Sequence, residues 1–140
     1  MKPILCALDF SESSLEVMKV AFEIGTRFDS PVTGLFSYRL IQLPDVAIAE
    51  YRKSTEARAL QDFCALIRKL NINESVKYEF RSEIGFLSDR LEVYGQQNKI
   101  GLIVMSQEMA GSIHEHKNLS LQDFVKALKI PLFIVPKEVI

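Results

Sequence analysis

Residues 100–120 read IGLIVMSQEMAGSIHEHKNLS, and the interpretation of this stretch decides that of the whole chain. Leu102, Ile103, Val104 and Met105 form an uninterrupted apolar run, as expected of a strand buried on both faces of a parallel sheet. Residues 106–118 are mostly polar and are predicted to be a loop at the carboxyl end of that strand, with a helix beginning at Ser120. In an open parallel sheet, ligands sit at the carboxyl ends of the strands, beside the point where strand order reverses. What this segment can bind therefore bears most directly on function.

Working outward, Ile4–Leu8 is a short apolar run ending at Asp9, predicted as a central strand. Ser11, Ser13 and Ser14 then offer side-chain caps for a helix. Across Ser14–Phe28 the residues Val17, Met18, Ala21, Phe22, Ile24, Gly25 and Phe28 make a broad apolar stripe at helical spacing. Pro31 breaks that pattern, and Val32–Tyr38 is predicted as the second strand. Asp45–Leu70 lacks glycine and proline and places Leu60, Phe63, Cys64, Ile67 and Leu70 on one helical face, with the helix starting somewhere within 45–54.

Residues 75–83 alternate Val76, Tyr78 and Phe80 with polar neighbours, the period of a strand with one exposed face at a sheet edge. A third helix is predicted over 86–98, with Leu87, Leu91 and Tyr94 inward. A last helix carries Leu121, Phe124, Val125 and Leu128, and a final strand, Leu132–Val135, lies between Pro131 and Pro136. Strands alternating with helices in this way predict a single α/β domain over 1–140, a doubly wound parallel sheet with helices on both faces.

Composition narrows the function classes. Lys and Arg number 17 against 18 Asp and Glu, a formal net charge of -1, so the chain carries no electrostatic footprint for nucleic acid or an anionic membrane surface. Cys6 and Cys64 both lie in apolar surroundings and are expected to be buried thiols in a reducing compartment. Met1-Lys2-Pro3 leads straight into a strand without the features of a signal peptide, which points to the cytoplasm. His114-Glu115-His116 would need a third converging ligand to hold a metal, and is read as a solvated loop. Neither cysteine is spaced to pair with a histidine as a nucleophile, so no catalysis is expected.

Three stretches carry a family resemblance. Residues 4–14, I-L-C-A-L-D-F-S-E-S-S, resemble the opening of universal stress proteins; Gly101-Leu102-Ile103-Val104-Met105-Ser106 resembles their D-L-I-V-M-G; and Pro131-Leu132-Phe133-Ile134-Val135 resembles their closing P-V-L-V-V. The resemblance spans the chain and implies five strands in the order 3-2-1-4-5. In nucleotide-binding members the fourth strand is followed by G-x-x-G, nine residues, then G-[ST], because glycines let backbone N–H groups approach phosphates at a helix amino terminus. Here those positions hold Ser106, Met109, Leu119 and Ser120, or Asn118-Leu119 for the last pair, so only the hydroxyl is kept.

The resemblance therefore implies a dimeric regulatory or stress-response protein of the branch that does not bind ATP, with no cofactor. Its crevice between the first and fourth strands would be narrowed by Met109. Asp9, Ser37, Ser106 and Ser120 fall on positions of nucleotide-binding members, and Gln107 joins them as a further polar contact. They define the alternative reading, a small-ligand or degenerate adenine-nucleotide sensor. For Asp9 the competing role is a carboxylate that orders the loop and helix start. The resemblance also implies a homodimer through Leu132, Phe133, Ile134 and Val135, an apolar strand whose free edge invites pairing.

Overall fold

Ile4–Leu8 forms β1, all five residues buried, because every position in a strand covered on both faces meets a hydrophobic layer. The computed structural model describes residues 2–40, 44–71 and 75–137 of the chain. In order, β1 is followed by α1 (Ser14–Phe28), β2 (Val32–Tyr38), α2 (Asp45–Leu70), β3 (Tyr78–Ile84), α3 (Leu87–Gln97), β4 (Leu102–Ser106), α4 (Gln107–Lys117), α5 (Leu121–Leu128) and β5 (Leu132–Val135). The five strands form one parallel sheet ordered β3-β2-β1-β4-β5, as expected.

Alternation along each strand splits the core in two. Leu5, Ala7, Leu35, Ile103 and Met105 face α3, α4 and α5, where Leu91, Tyr94, Ile113, Phe124 and Leu128 meet them. Cys6, Leu8, Val32 and Val104 face Val17, Met18 and Phe22 of α1 and Phe63 of α2. Gly34 in β2 is held to the second layer by packing: an added Cβ would lie 2.8 Å from Phe63, whose ring stacks on Phe80.

The structure departs from expectation in four places. Residues 107–117 are a helix rather than a loop, so the chain has an additional element before α5. Ala110 and Ile113, one helical turn apart, are buried, and Met109 is half-buried against the same core. This sparse stripe is enough because the rest of α4 faces water. Cys64 is exposed rather than buried, and Leu60 is exposed as well, because α2 turns Ala59, Phe63, Leu66 and Ile67 to the sheet and leaves the neighbouring stripe outside. β3 begins at Tyr78, not residue 75; Val76 is buried ahead of it, near Gly25 of α1. Phe86 is the residue before α3 rather than part of it.

Candidate functional site

β1 and β4 are adjacent, yet the chain leaves them into different helices, α1 and α4, and their carboxyl ends form the crevice at the switch point. On the β1 side the backbone turns at Phe10, which adopts a left-handed conformation at φ 58° and packs its ring against Phe36 and Phe80. This turn lets the Asp9 carboxylate accept from the Ser11 backbone N–H at 2.9 Å and from the Ser14 hydroxyl at 3.3 Å. Asp9 thus orders the entry to α1. The serines do not cap that helix with their side chains: Ser13, at the cap position, turns its hydroxyl away.

The Ser13 hydroxyl donates instead to Glu108 in the first turn of α4, 2.9 Å away. On the β4 side, buried Ser106 closes the α4 amino terminus by accepting from the Met109 N–H at 3.2 Å. Ser120 does the same for α5, accepting from the Asp123 N–H at 3.1 Å. Donors at a helix amino terminus are what an anion would otherwise use. In both helices a serine side chain of the chain itself takes one of them, and Glu108 adds a carboxylate beside the α4 terminus.

The five residues singled out from the sequence are not gathered into one place. Asp9 is exposed at the start of α1, Ser37 is half-buried near the end of β2, and Ser106 is buried as a helix cap. Gln107 and Ser120 line a different depression, between α4, α5 and the end of β5, together with His114, Ile134 and Pro136. There the Gln107 side-chain oxygen accepts from the Lys137 N–H at 3.1 Å. The side chain of Met109 packs onto the core beneath α4.

The far end of α4 is fastened to α3. Lys117 reaches Asp89 at 2.8 Å and Glu92 at 3.0 Å, while the His116 ring stacks on Phe86 with 3.7 Å between centroids. The Arg39 guanidinium lies 4.7 Å from the Phe86 ring centre. The hydrogen bond from Lys117 holds the Asp89 carboxyl below its ordinary range, and the two carboxylates raise Lys117 above its own. His114-Glu115-His116 is therefore helical, with His116 engaged in this clamp and the His114 Nδ1 on the Leu119 carbonyl. Sequence reasoning missed Glu108, Phe86 and Asp89; the signal available was the clustering of Asp89, Glu92 and Lys117 once α4 is recognised as a helix.

Among the described residues no three His, Cys, Asp or Glu side chains are grouped to hold a metal, and no helix is long and apolar enough to cross a membrane. Burial drives the Cys6 thiol far up, so it is held protonated.

No family model and no curated protein sequence matches the chain. Solved structures do. The universal stress protein UspA from Lactobacillus plantarum superposes with a TM-score of 0.74 at 18% identity, over 96% of this chain and 97% of that one. The fold is that of the universal stress proteins. A universal stress protein solved in complex with cAMP matches at a TM-score of 0.68 and 17% identity, covering 96% of both chains. The universal stress protein from Archaeoglobus fulgidus, solved with dAMP, matches at 0.61 and 18% identity, over 96% and 97%. The universal-stress-type sheet, with its crevice between β1 and β4, is thus the scaffold on which Asp9, Ser13, Ser106 and Glu108 are set.

Proposed function

We propose that this chain is a non-catalytic regulatory protein of universal-stress type that does not hold ATP at the strand-end crevice. One observation carries the reading: the Glu108 carboxylate, bonded to Ser13, stands at the α4 amino terminus where a phosphate would gain most from the helix. A phosphate brought to this place would meet a like charge and a helix terminus at which Ser106 already takes one of the free N–H groups. The solved relatives with dAMP and cAMP make adenine nucleotides the appropriate ligands to test.

Calorimetric titration with ATP and magnesium is the direct experiment. Absence of heat at millimolar nucleotide supports the reading. Saturable binding would replace it with a nucleotide sensor using Asp9 and Ser106.

The chain further acts as a cytoplasmic homodimer through β5. The two sheet edges differ in a way that supports this. β3 carries Glu79, Arg81 and Glu83, with Arg81 and Glu79 paired at 3.0 Å, and charges of this kind discourage strand addition. β5 is Leu-Phe-Ile-Val, without a charge, and exposes Phe133 and Ile134. Antiparallel pairing of two β5 strands about a two-fold axis would cover both edges at once.

A further inference from the structure

The formal net charge of -1 conceals an uneven distribution. In a parallel sheet every strand begins, and the helix that feeds it ends, at the same end of the domain. That end here gathers Lys2 before β1, Arg68 and Lys69 in the last turn of α2, Lys77 before β3, Lys99 before β4 and Lys129 at the end of α5. All six are exposed, and among the described residues none of them takes part in an ion pair. Against them stand Asp29, at the end of α1, and Glu23 and Glu79, which Arg27 and Arg81 already pair.

Helix dipoles account for part of this cluster. The last carbonyls of a helix draw cations, and Arg68 and Lys69 lie where α2 offers its own. Lys2 and Lys77 precede strands instead. Lys129 holds a left-handed conformation at φ 61°, whereas α1, α2, α3 and α4 end in that conformation on Asp29, Asn71, Asn98 and Asn118. Asp and Asn adopt it readily and lysine does not, so a cation is kept at this end against the backbone preference.

The second observation is aromatic. Phe28, the last residue of α1, is the most exposed large apolar side chain among the described residues, at 58%. Tyr78, the first residue of β3 and next to Lys77, is 48% exposed. Both stand at the same end as the cations. Basic residues around a protruding aromatic suit an anionic bilayer, whose phosphates attract the cations while the ring enters the headgroup boundary. A nucleic acid duplex would use the cations and leave Phe28 in water.

We propose that the amino end of the sheet docks on an anionic lipid bilayer, with Lys69, Lys77 and Lys99 meeting the headgroups and Phe28 entering between them. Net charge alone argued against such a partner, and the placement of the charges restores it. The face is built mainly on α1, α2 and the start of β3, at the sheet edge opposite β5, so pairing through β5 leaves it uncovered. It lies at the other end of the strands from the crevice between β1 and β4, and is independent of what binds there.

The chain contains no tryptophan, so Phe28→Trp places a single reporter on this face. With vesicles of phosphatidylcholine containing about one-third phosphatidylglycerol, its emission is expected to shift to the blue and the wild-type chain to co-sediment. Salt at about 0.5 M is expected to release the protein, and phosphatidylcholine alone to bind none of it. Each cation near an anionic surface contributes about fivefold in affinity, so Lys69→Glu with Lys77→Glu should weaken binding about 25-fold or more. Phe28→Ser should weaken it roughly tenfold. Lys53→Glu, about 24 Å from Lys69 along α2, makes the same change towards the other end of the domain and should alter affinity less than about twofold.

Four results would overturn the proposal: no association with anionic vesicles at low salt, equal association with phosphatidylcholine alone, an unshifted spectrum from Phe28→Trp, or a loss in Lys53→Glu as large as that in the double variant. Binding of a DNA duplex or of polyglutamate without binding of vesicles would overturn it too, and would assign the face to a nucleic acid or an acidic protein. Should the charge variants not fold, the lipid and salt dependence of the wild type and the Phe28→Trp spectrum decide between these outcomes.

Discussion

The Ser13 hydroxyl donates to the Glu108 carboxylate across 2.9 Å, joining the start of α1 to the first turn of α4 over the carboxyl ends of β1 and β4. Both residues follow strands that lie side by side, so the bond spans the crevice at the carboxyl ends of β1 and β4. It places negative charge where the α4 dipole favours an anion. The protein thereby supplies its own anion at that position.

If this closure blocks ATP, restoring the missing glycines and removing the charge should open the site. Ser106→Gly with Met109→Gly and Leu119→Gly, combined with Glu108→Gln, is expected to bind magnesium-ATP in a calorimeter that records no heat with the wild type. The same triple with Glu108 intact should bind more weakly, since like charge opposes the phosphates. A flat titration for the quadruple variant, with its fold verified by circular dichroism, would show that these positions do not correspond to the family's phosphate loop.

The contrast between the sheet edges yields a second expectation. Ile134→Lys puts a charge on the exposed, apolar edge of β5 and should convert the protein to a monomer in sedimentation equilibrium. Arg81→Ala on the opposite edge should leave the mass unchanged. A wild-type monomer at tens of micromolar would end the dimer reading.

The clamp between α3 and α4 is electrostatic and should answer to pH. The folded-state pKa of Asp89 lies below its ordinary value of 3.8, so its contribution is complete above that pH and is lost as pH falls through the depressed value. The folded-state pKa of Lys117 lies above 10.5, so its contribution is complete below that pH and is lost as pH rises through the raised value. Asp89 is about half exposed, at 49%, and solvent screening limits the pair to at most ~1 kcal/mol. Asp89→Asn is therefore expected to melt a few degrees below the wild type at pH 7, and the gap should close as pH falls through the depressed Asp89 value.

Gly34 supplies a prediction about packing. Gly34→Ala drives a Cβ to 2.8 Å from Phe63, which is buried and stacked on Phe80 at 4.7 Å between centroids. The ring has little room to retreat, so urea unfolding should show a loss of about 1–3 kcal/mol. A neutral result would mean that the Phe63–Phe80 pair slides freely.

Gly111→Ala gives the opposite sign. Its Cβ enters open space in a helix interior, and a gain of roughly 0.5–1 kcal/mol is expected in the same experiment. A destabilised variant would reveal a contact at this position that the structure does not contain.

The amino-acid sequence by itself determined the layered α/β architecture. Runs such as Ile4–Leu8 and Leu102–Met105 are continuous and apolar, and they fall on observed strands because burial on both faces demands that pattern locally. It determined equally the identities of Ser106, Met109, Leu119 and Ser120, the residues that the resemblance sets against a phosphate loop. Tertiary structure decided what stands there. α4 escaped notice because a helix needing only Ala110, Ile113 and part of Met109 inside has a weak period, and Gly111 interrupts it further. Cys64 and Phe63 are adjacent on α2, and only the angle at which that helix meets the sheet makes one exposed and the other core. Ser13 and Glu108 lie far apart in the chain, as do Arg39, Phe86 and His116. Their meetings follow from strand order, because β1 and β4 become neighbours only once the sheet is assembled.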